Sequence, residues 1–225
     1  TEIYTLSLHD ALPILAFNYM KQLINKENLQ SIDIEKTTRL TSIAASAFSG
    51  IKKLVAMSLP STITSISSNA FSSSGLRSIV IPDKVTSVGG DAFAYCDNLT
   101  SVVVGEKVKS MDQGVFYSSA VKEAYFKPVT PPTLNGVSDY LFSGKNRTIH
   151  VYSNALSKYK SAGWDRYGTL VGDLEDFIDG IENVNINVND NLNLNNGEVY
   201  DLMGRKVTNL QLGTIYIKNG KKFMR

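Results

Sequence analysis

The sequence predicts a solenoid of stacked coils, each about 23 residues long and made of a short β-strand plus a turn or short helix. An α+β cap closes the array at its C-terminal end, and a small all-β tail follows. Three observations carry this reading. The pair Ala47-Phe48 returns as Ala70-Phe71, Ala92-Phe93 and Val115-Phe116, at spacings of 23, 22 and 23 residues. Ahead of each pair stands a tetrad with apolar ends and a Thr/Lys-Ser centre: Leu40 to Ile43, Ile63 to Ile66, Val85 to Val88 and Val108 to Met111. Behind each pair, apolar residues fall at the first, fourth and sixth places of a run: Leu54, Met57, Leu59; Leu76, Ile79, Ile81; Leu99, Val102, Val104; Val121, Ala124, Phe126.

In chain order, residues 1–14 come first, and they stand apart. They have neither a basic start nor a small-residue cleavage site of a signal peptide. Residue for residue they resemble the translation of a common sequencing-library adapter. The expectation is an artefact, with the natural gene starting upstream and His9 outside any functional argument; the rival reading is a genuine N-terminal strand or signal remnant.

The repeats occupy residues 15–127, with Leu29, Ile32 and Ile34 opening the series. The fourth and sixth places alternate with a residue of the other face, as a half-buried strand requires. Pro60, Pro82 and Pro128 stop three of the strands, because proline has no N–H for a ladder. One coil buries six or seven apolar side chains, worth about 1.5–3 kcal/mol each. Ordering its backbone costs about 1–2 kcal/mol per residue. A coil alone is therefore unstable, and stacking closes the deficit. The four phenylalanines are expected to stand in one column.

The run Leu-x-x-Ile-x-Ile-Pro, then Val-Thr-Ser-Val, then Ala-Phe resembles the BspA-like leucine-rich repeats of bacterial surface proteins over residues 29–127. The resemblance implies a leucine-rich-repeat solenoid at the cell surface or outside the cell, adhesive toward a protein or glycan on a host or neighbouring cell. Cys96 sits three residues after Phe93, where this family often carries a cysteine, and is read as a small buried core residue.

Residues 128–178 change pattern: Pro131-Pro132, a strand at Thr148 to Tyr152, a short helix from Asn154 to Gly163, then Trp164 and Tyr167. This resembles the segment that ends many such arrays, and its physical role is to cover the last coil. Residues 179–225 hold an Asn-rich linker and two or three strands with Gly turns, Asn219-Gly220 being a hairpin signal. Tyr-Asp-Leu-x-Gly-Arg-Lys-Val with Gly-x-Tyr-Ile-x-x-Gly-Lys-Lys is similar to the close of C-terminal sorting domains of the type IX secretion route, which implies export and contact with that machinery.

Composition excludes several classes. The last 28 residues carry six Lys/Arg against Glu198 and Asp201, and Glu2 and Asp10 near the start bring the net charge to +2; the body is balanced, with no basic face for a nucleic acid. No apolar run approaches the roughly 20 residues of a membrane-spanning helix. A single cysteine rules out a disulfide framework and a thiolate metal cluster. Around Asp190, Leu192 and Leu194 occupy places where a calcium loop needs an oxygen ligand and a glycine. Gly89-Gly90 lacks the Lys-Ser/Thr of a phosphate loop. His150 lies in a strand between Ile149 and Val151, and Glu175-Asp176 shows no acid partner. No catalytic, cofactor or metal residue is expected.

What a solenoid offers is its outward strand face. The residues between the fourth and sixth places, Asp33, Ser58, Val80, Val103 and Tyr125, flanked by Arg77, Thr100, Lys122 and Glu123, are expected to form a surface stripe. Ser58, Arg77, Val80, Val103, Lys122 and Tyr125 are its candidate ligand contacts. The bland alternative is that β-branched residues and tyrosine simply favour strands. A second functional reading is a spacer that carries a separate domain, enzymatic or otherwise.

Overall fold

The computed structural model describes residues 40–136 and 140–174 in full, and the backbone of strands at 4–7, 29–33, 199–201, 215–218 and 221–224. In the fully described part the chain winds in coils, each passing through two ladders and a corner. The longer strands are β4 (Ala56–Ser58), β6 (Ser78–Ile81), β8 (Ser101–Val104), β10 (Glu123–Phe126), β12 (Thr148–Val151) and β13 (Thr169–Val171). From β6 to β13 they form one parallel sheet in unbroken register, with Ile79, Val102, Ala124, Ile149 and Leu170 in one column. The tetrads supply two-residue strands β3 (Ser42–Ile43), β5 (Ser65–Ile66), β7 (Ser87–Val88), β9 (Ser110–Met111) and β11 (Thr133–Leu134), paired in parallel into a second sheet.

The third side is a corner, and at the Ala-Phe pairs from Ala47 to Phe116 it is a turn, where the sequence allowed a turn or a short helix. Amides of one coil donate to the next: Phe48 to Ala70, Phe71 to Ala92, Phe93 to Val115, Phe116 to Leu141. The corner bends through two left-handed positions per coil. One column is Ser46, Asn69, Asp91 and Gly114; the other is Gly50, Ser73, Tyr95 and Ser118, all with φ between 53° and 75°. Coils approach so closely that a Cβ at Gly75 would overlap the carbonyl oxygen of Lys52.

Every apolar place of the repeat points inward: Leu54, Leu76, Leu99 and Val121, the tetrad ends, and the fourth and sixth strand places are all buried. The phenylalanines stack as a column, with centroids 5.1 Å apart for Phe48–Phe71, 5.1 Å for Phe71–Phe93 and 5.6 Å for Phe93–Phe116. A fifth ring, Phe142, continues it at 5.1 Å. The coil geometry thus runs past the point where the sequence pattern breaks. β11 extends the tetrad sheet, Phe142 the ring column, and β12 and β13 the strand sheet.

After β12 come a 3-10 turn (Ser153–Ala155), helix α1 (Leu156–Ser161) and a 3-10 turn (Trp164–Tyr167). Gly163, left-handed at φ 72°, ends α1, as glycine does where a side chain would be strained. Trp164 packs edge-on against Phe126 (4.9 Å) and Tyr159 (5.0 Å), and Tyr167 lies 6.2 Å from Phe142. Tyr167 thereby meets the last ring of the column, and Trp164 meets the strand residue Phe126. Strand β1 (Tyr4–Ser7) pairs in parallel with β2 (Leu29–Asp33), and β2 pairs in parallel with β4; β1 lies inside the adapter-like segment. In the tail, β14 (Val199–Asp201), β15 (Ile215–Lys218) and β16 (Lys221–Met224) form an antiparallel sheet with Lys218 opposite Lys221. The Asn-rich linker, Asp190 and Glu175-Asp176 lie outside the described residues.

Cys96 is buried, donating from Sγ to the Phe71 carbonyl at 3.2 Å and lying 3.4 Å from the Ser74 hydroxyl. Burial pushes the thiol's pKa up, so it holds its proton. We expect Cys96 to stay inert to a disulfide thiol reagent in native buffer and to react fully once denaturant opens the coils. Rapid reaction of the native chain would contradict this placement.

Candidate functional site

Parallel stacking brings equivalent positions of successive strands side by side, so the outward stripe is real as a register column: Val80, Val103, Tyr125, His150 and Val171 are paired neighbours. Its exposure is a different matter. Ser58 and Val80 are half-buried, and Arg77 is half-buried just ahead of β6. Thr100 and Lys122 are exposed and Glu123 is half-buried. Val103 and Tyr125, expected as open contacts, are buried, at 4% and 1% relative exposure.

The cause is the chain itself. Beyond β13, Gly172 to Leu174 turn back across the sheet, and the Leu174 amide donates to the Val151 carbonyl at 3.2 Å. Leu174 packs with Val103 and Tyr125 into a second small core, flanked by Val80 and Tyr152. The expectation of an open apolar stripe is thereby corrected. Alternation told which side these residues face, and a segment far along the chain decides whether water reaches them. Asp33 belongs to β2, where only the backbone is described.

His150, read from the sequence as a structural or surface residue of a strand, has partners that the sequence did not reveal. It is buried, its ring stacks on Tyr125 with centroids 4.4 Å apart, and both nitrogens meet carboxylates: Nε2 lies 2.8 Å from Glu123 Oε2, and Nδ1 2.8 Å from Asp173 Oδ1. Its register opposite Tyr125, one coil later, was the available signal. The triad ties β10, β12 and the covering segment together. Both ring nitrogens lie within hydrogen-bond distance of carboxylates, so the imidazole serves as a tie between neighbouring strands. Among the described residues no group of three or more His, Cys, Asp or Glu is placed to hold a metal ion.

Burial and the carboxylates of Glu123 and Asp173 raise the pKa of Tyr125, and burial raises that of Tyr159, whose hydroxyl donates to the Pro128 carbonyl at 2.9 Å. The folded values lie above the unfolded value of about 10. Their contribution to stability is therefore complete below about pH 10 and is lost as pH climbs beyond it. We expect a phenolate absorbance titration to show Tyr125 and Tyr159 ionising only as the chain unfolds. Tyr125→Phe and Tyr159→Phe should each remove one of them. Titration of all tyrosines with the fold intact would contradict the assignment.

A family model described as the BspA type leucine rich repeat region matches residues 20–152, in six copies. Among solved structures the chain is similar to the pneumococcal vaccine antigen PcpA, at 21% identity and a TM-score of 0.51, over 65% of this chain and 36% of that one. It is also similar to a leucine-rich repeat protein from Bacteroides ovatus (22% identity, TM-score 0.46, 56% of this chain and 32% of that one). A leucine rich cell surface protein from Faecalibacterium prausnitzii matches at 19% identity and a TM-score of 0.31, over 58% and 55% of the two chains. The chain thus spans about a third of the length of the first two proteins. At such identity the likeness to PcpA bears on the fold alone. No curated protein matches the sequence. Among the described residues no helix is long and apolar enough to cross a membrane.

Proposed function

Because the chain belongs to the BspA-type leucine-rich repeat family, we propose that it is a non-catalytic binding module of a secreted or surface-held bacterial protein, engaging a protein or glycan on a host or neighbouring cell. The observation that carries this reading is the uninterrupted ring column, which fixes the exposed residues of successive coils in rigid rows. Rigid rows lower the ordering cost of association, so modest contacts repeated along the array add up. Ser58, Arg77 and Lys122 border the part of the strand face that Leu174 covers, and they remain proposed contacts there. The tail at 179–225 is proposed as the part addressed by secretion machinery, on its likeness to type IX sorting segments.

The test is saturable binding of the fluorescently labelled full chain to bacterial and epithelial cells and to immobilised matrix proteins. Saturation on at least one, weakened several-fold by Arg77→Glu with Lys122→Glu, is the expected result. Failure to saturate on any of them would favour the spacer reading, and hydrolytic turnover would overturn the non-catalytic one.

A further inference from the structure

We propose that the outward strand face from β6 to β12 is a peptide-binding face whose site is filled by the chain's own strap, Gly172 to Leu174. In the active module an extended partner segment, with an acidic residue followed by a large aliphatic one, takes the strap's place. The proposal rests on the binding-module reading and names the kind of partner bound.

The strap identifies the occupant, because it shows which chemistry this face accepts. Leu174 packs its side chain with Val103 and Tyr125, flanked by Val80 and Tyr152. Asp173 Oδ1 lies 2.8 Å from His150 Nδ1. The Leu174 amide donates to the Val151 carbonyl at 3.2 Å, just beyond the last residue of β12 that pairs with β13. An apolar anchor, a carboxylate and a main-chain bond are thus recognised together. Extended peptides are read at sheets in the same way, with main-chain bonds giving affinity and side-chain pockets giving specificity.

The strap is lightly held. Its anchors are one leucine, one carboxylate and one amide, whereas β10 is paired along its whole length on both sides. Segments with so few bonds open far more often than the ladders beneath them. A second, independent observation comes from Ser101. Alternation along β8 sets it on the same face as Val103, and it is buried at 5% relative exposure. Its hydroxyl has no hydrogen-bond partner among the described residues. Buried polar groups are nearly always satisfied, and the neighbour in its row, Glu123, already directs its carboxylate to His150. Gly172 to Leu174 therefore fills the apolar row and leaves this polar atom unmet, whereas a partner segment laid along both rows supplies it. Arg77 and Lys122 stand one residue ahead of β6 and β10, in the adjoining row, where they favour an acidic partner.

The test is fluorescence polarisation of a labelled peptide, Ser-Gly-Asp-Leu-Gly-Ser, with the full chain and with its Asp173→Ser, Leu174→Ser double variant. The double variant is expected to bind saturably and the parent at least about tenfold more weakly, because a tethered strap competes at high effective concentration. Peptides with asparagine for the aspartate or alanine for the leucine should each lose about tenfold, as removal of an anchor does. Val103→Lys in the double variant should abolish binding. Hydrogen exchange on the unmodified chain needs no variant to fold. The Leu174 amide is expected to exchange at least about a hundredfold faster than the ladder amides of β10 and β12, and faster again with excess peptide. No binding to the double variant, equal binding to both chains, or a Leu174 amide as slow as the ladder overturns the inference. So does a concentration-dependent dimer that exchanges straps, since a second copy would then be the occupant. Saturable cell binding with the peptide unbound overturns this inference alone, and bound peptide without cell binding overturns only the cell-surface reading.

Discussion

Phe93→Ala is expected to cost about 3–5 kcal/mol, a large share of the roughly 5–15 kcal/mol that holds a typical domain folded. Phe93 is fully buried between Phe71 and Phe116, at 5.1 and 5.6 Å. Removing the ring therefore takes contact from both neighbours, and neither can move into the gap, because the amides of Phe71 and Phe116 are each bonded to the next coil. In a solenoid each coil touches only those beside it, so a cavity at the middle of the column uncouples the two halves. Urea denaturation followed by circular dichroism should show a lower midpoint and a shallower transition than the parent chain. A loss under about 1 kcal/mol with cooperativity intact would contradict the role given to the column.

The second large effect belongs to Arg147. Its guanidinium is buried and donates to four carbonyl oxygens: Ser143 at 2.8 Å, Gly144 at 2.7 Å, Tyr167 at 2.6 Å and, from Nε, Val121 at 3.4 Å. It also lies 4.2 Å above the Phe142 ring. Burial lowers its pKa to about 10, still far above neutrality, so the cation persists and is balanced by carbonyl dipoles and the ring face. Arg147→Met leaves the buried carbonyls of Val121 and Tyr167 without this donor, at a cost of about 1–3 kcal/mol each, while those of the exposed Ser143 and Gly144 turn to water. We expect a total loss of about 3–5 kcal/mol. Trp164 fluorescence should shift to the red as the rings around Tyr167 loosen. Arg147→Lys should recover only part, because an ammonium group cannot span the same fork of acceptors. Full recovery by lysine, or unshifted emission in Arg147→Met, would count against this clasp.

The repeat was legible because its signals were redundant. The Ala-Phe pair, the tetrad and the strand run share one phase, and their apolar places are all buried. The continuation of the ring column was hidden: Phe142 follows Phe116 by 26 residues, with Leu141 in place of alanine and Pro131-Pro132 between. Spacing along the chain fails there, while pairing in space persists through Phe116 and Phe142. The outward stripe was legible as a column and misread as a surface. Alternation in Val102-Val103-Val104 encodes which face a residue takes, whereas its cover, Leu174, lies some seventy residues on and carries no periodic mark. Arg147 and the partners of His150 escaped for the same reason, since the contacts join distant coils.

The claim that coils lend one another their interiors is tested most directly by double-mutant cycles on the ring column. For the stacked pair Phe71→Leu and Phe93→Leu, urea denaturation should return a coupling energy of about 0.5–1.5 kcal/mol. For Phe48→Leu with Phe142→Leu, at opposite ends of the column, the two losses should add within about 0.5 kcal/mol. Additive losses for the stacked pair, or equal coupling for the remote one, would contradict the account.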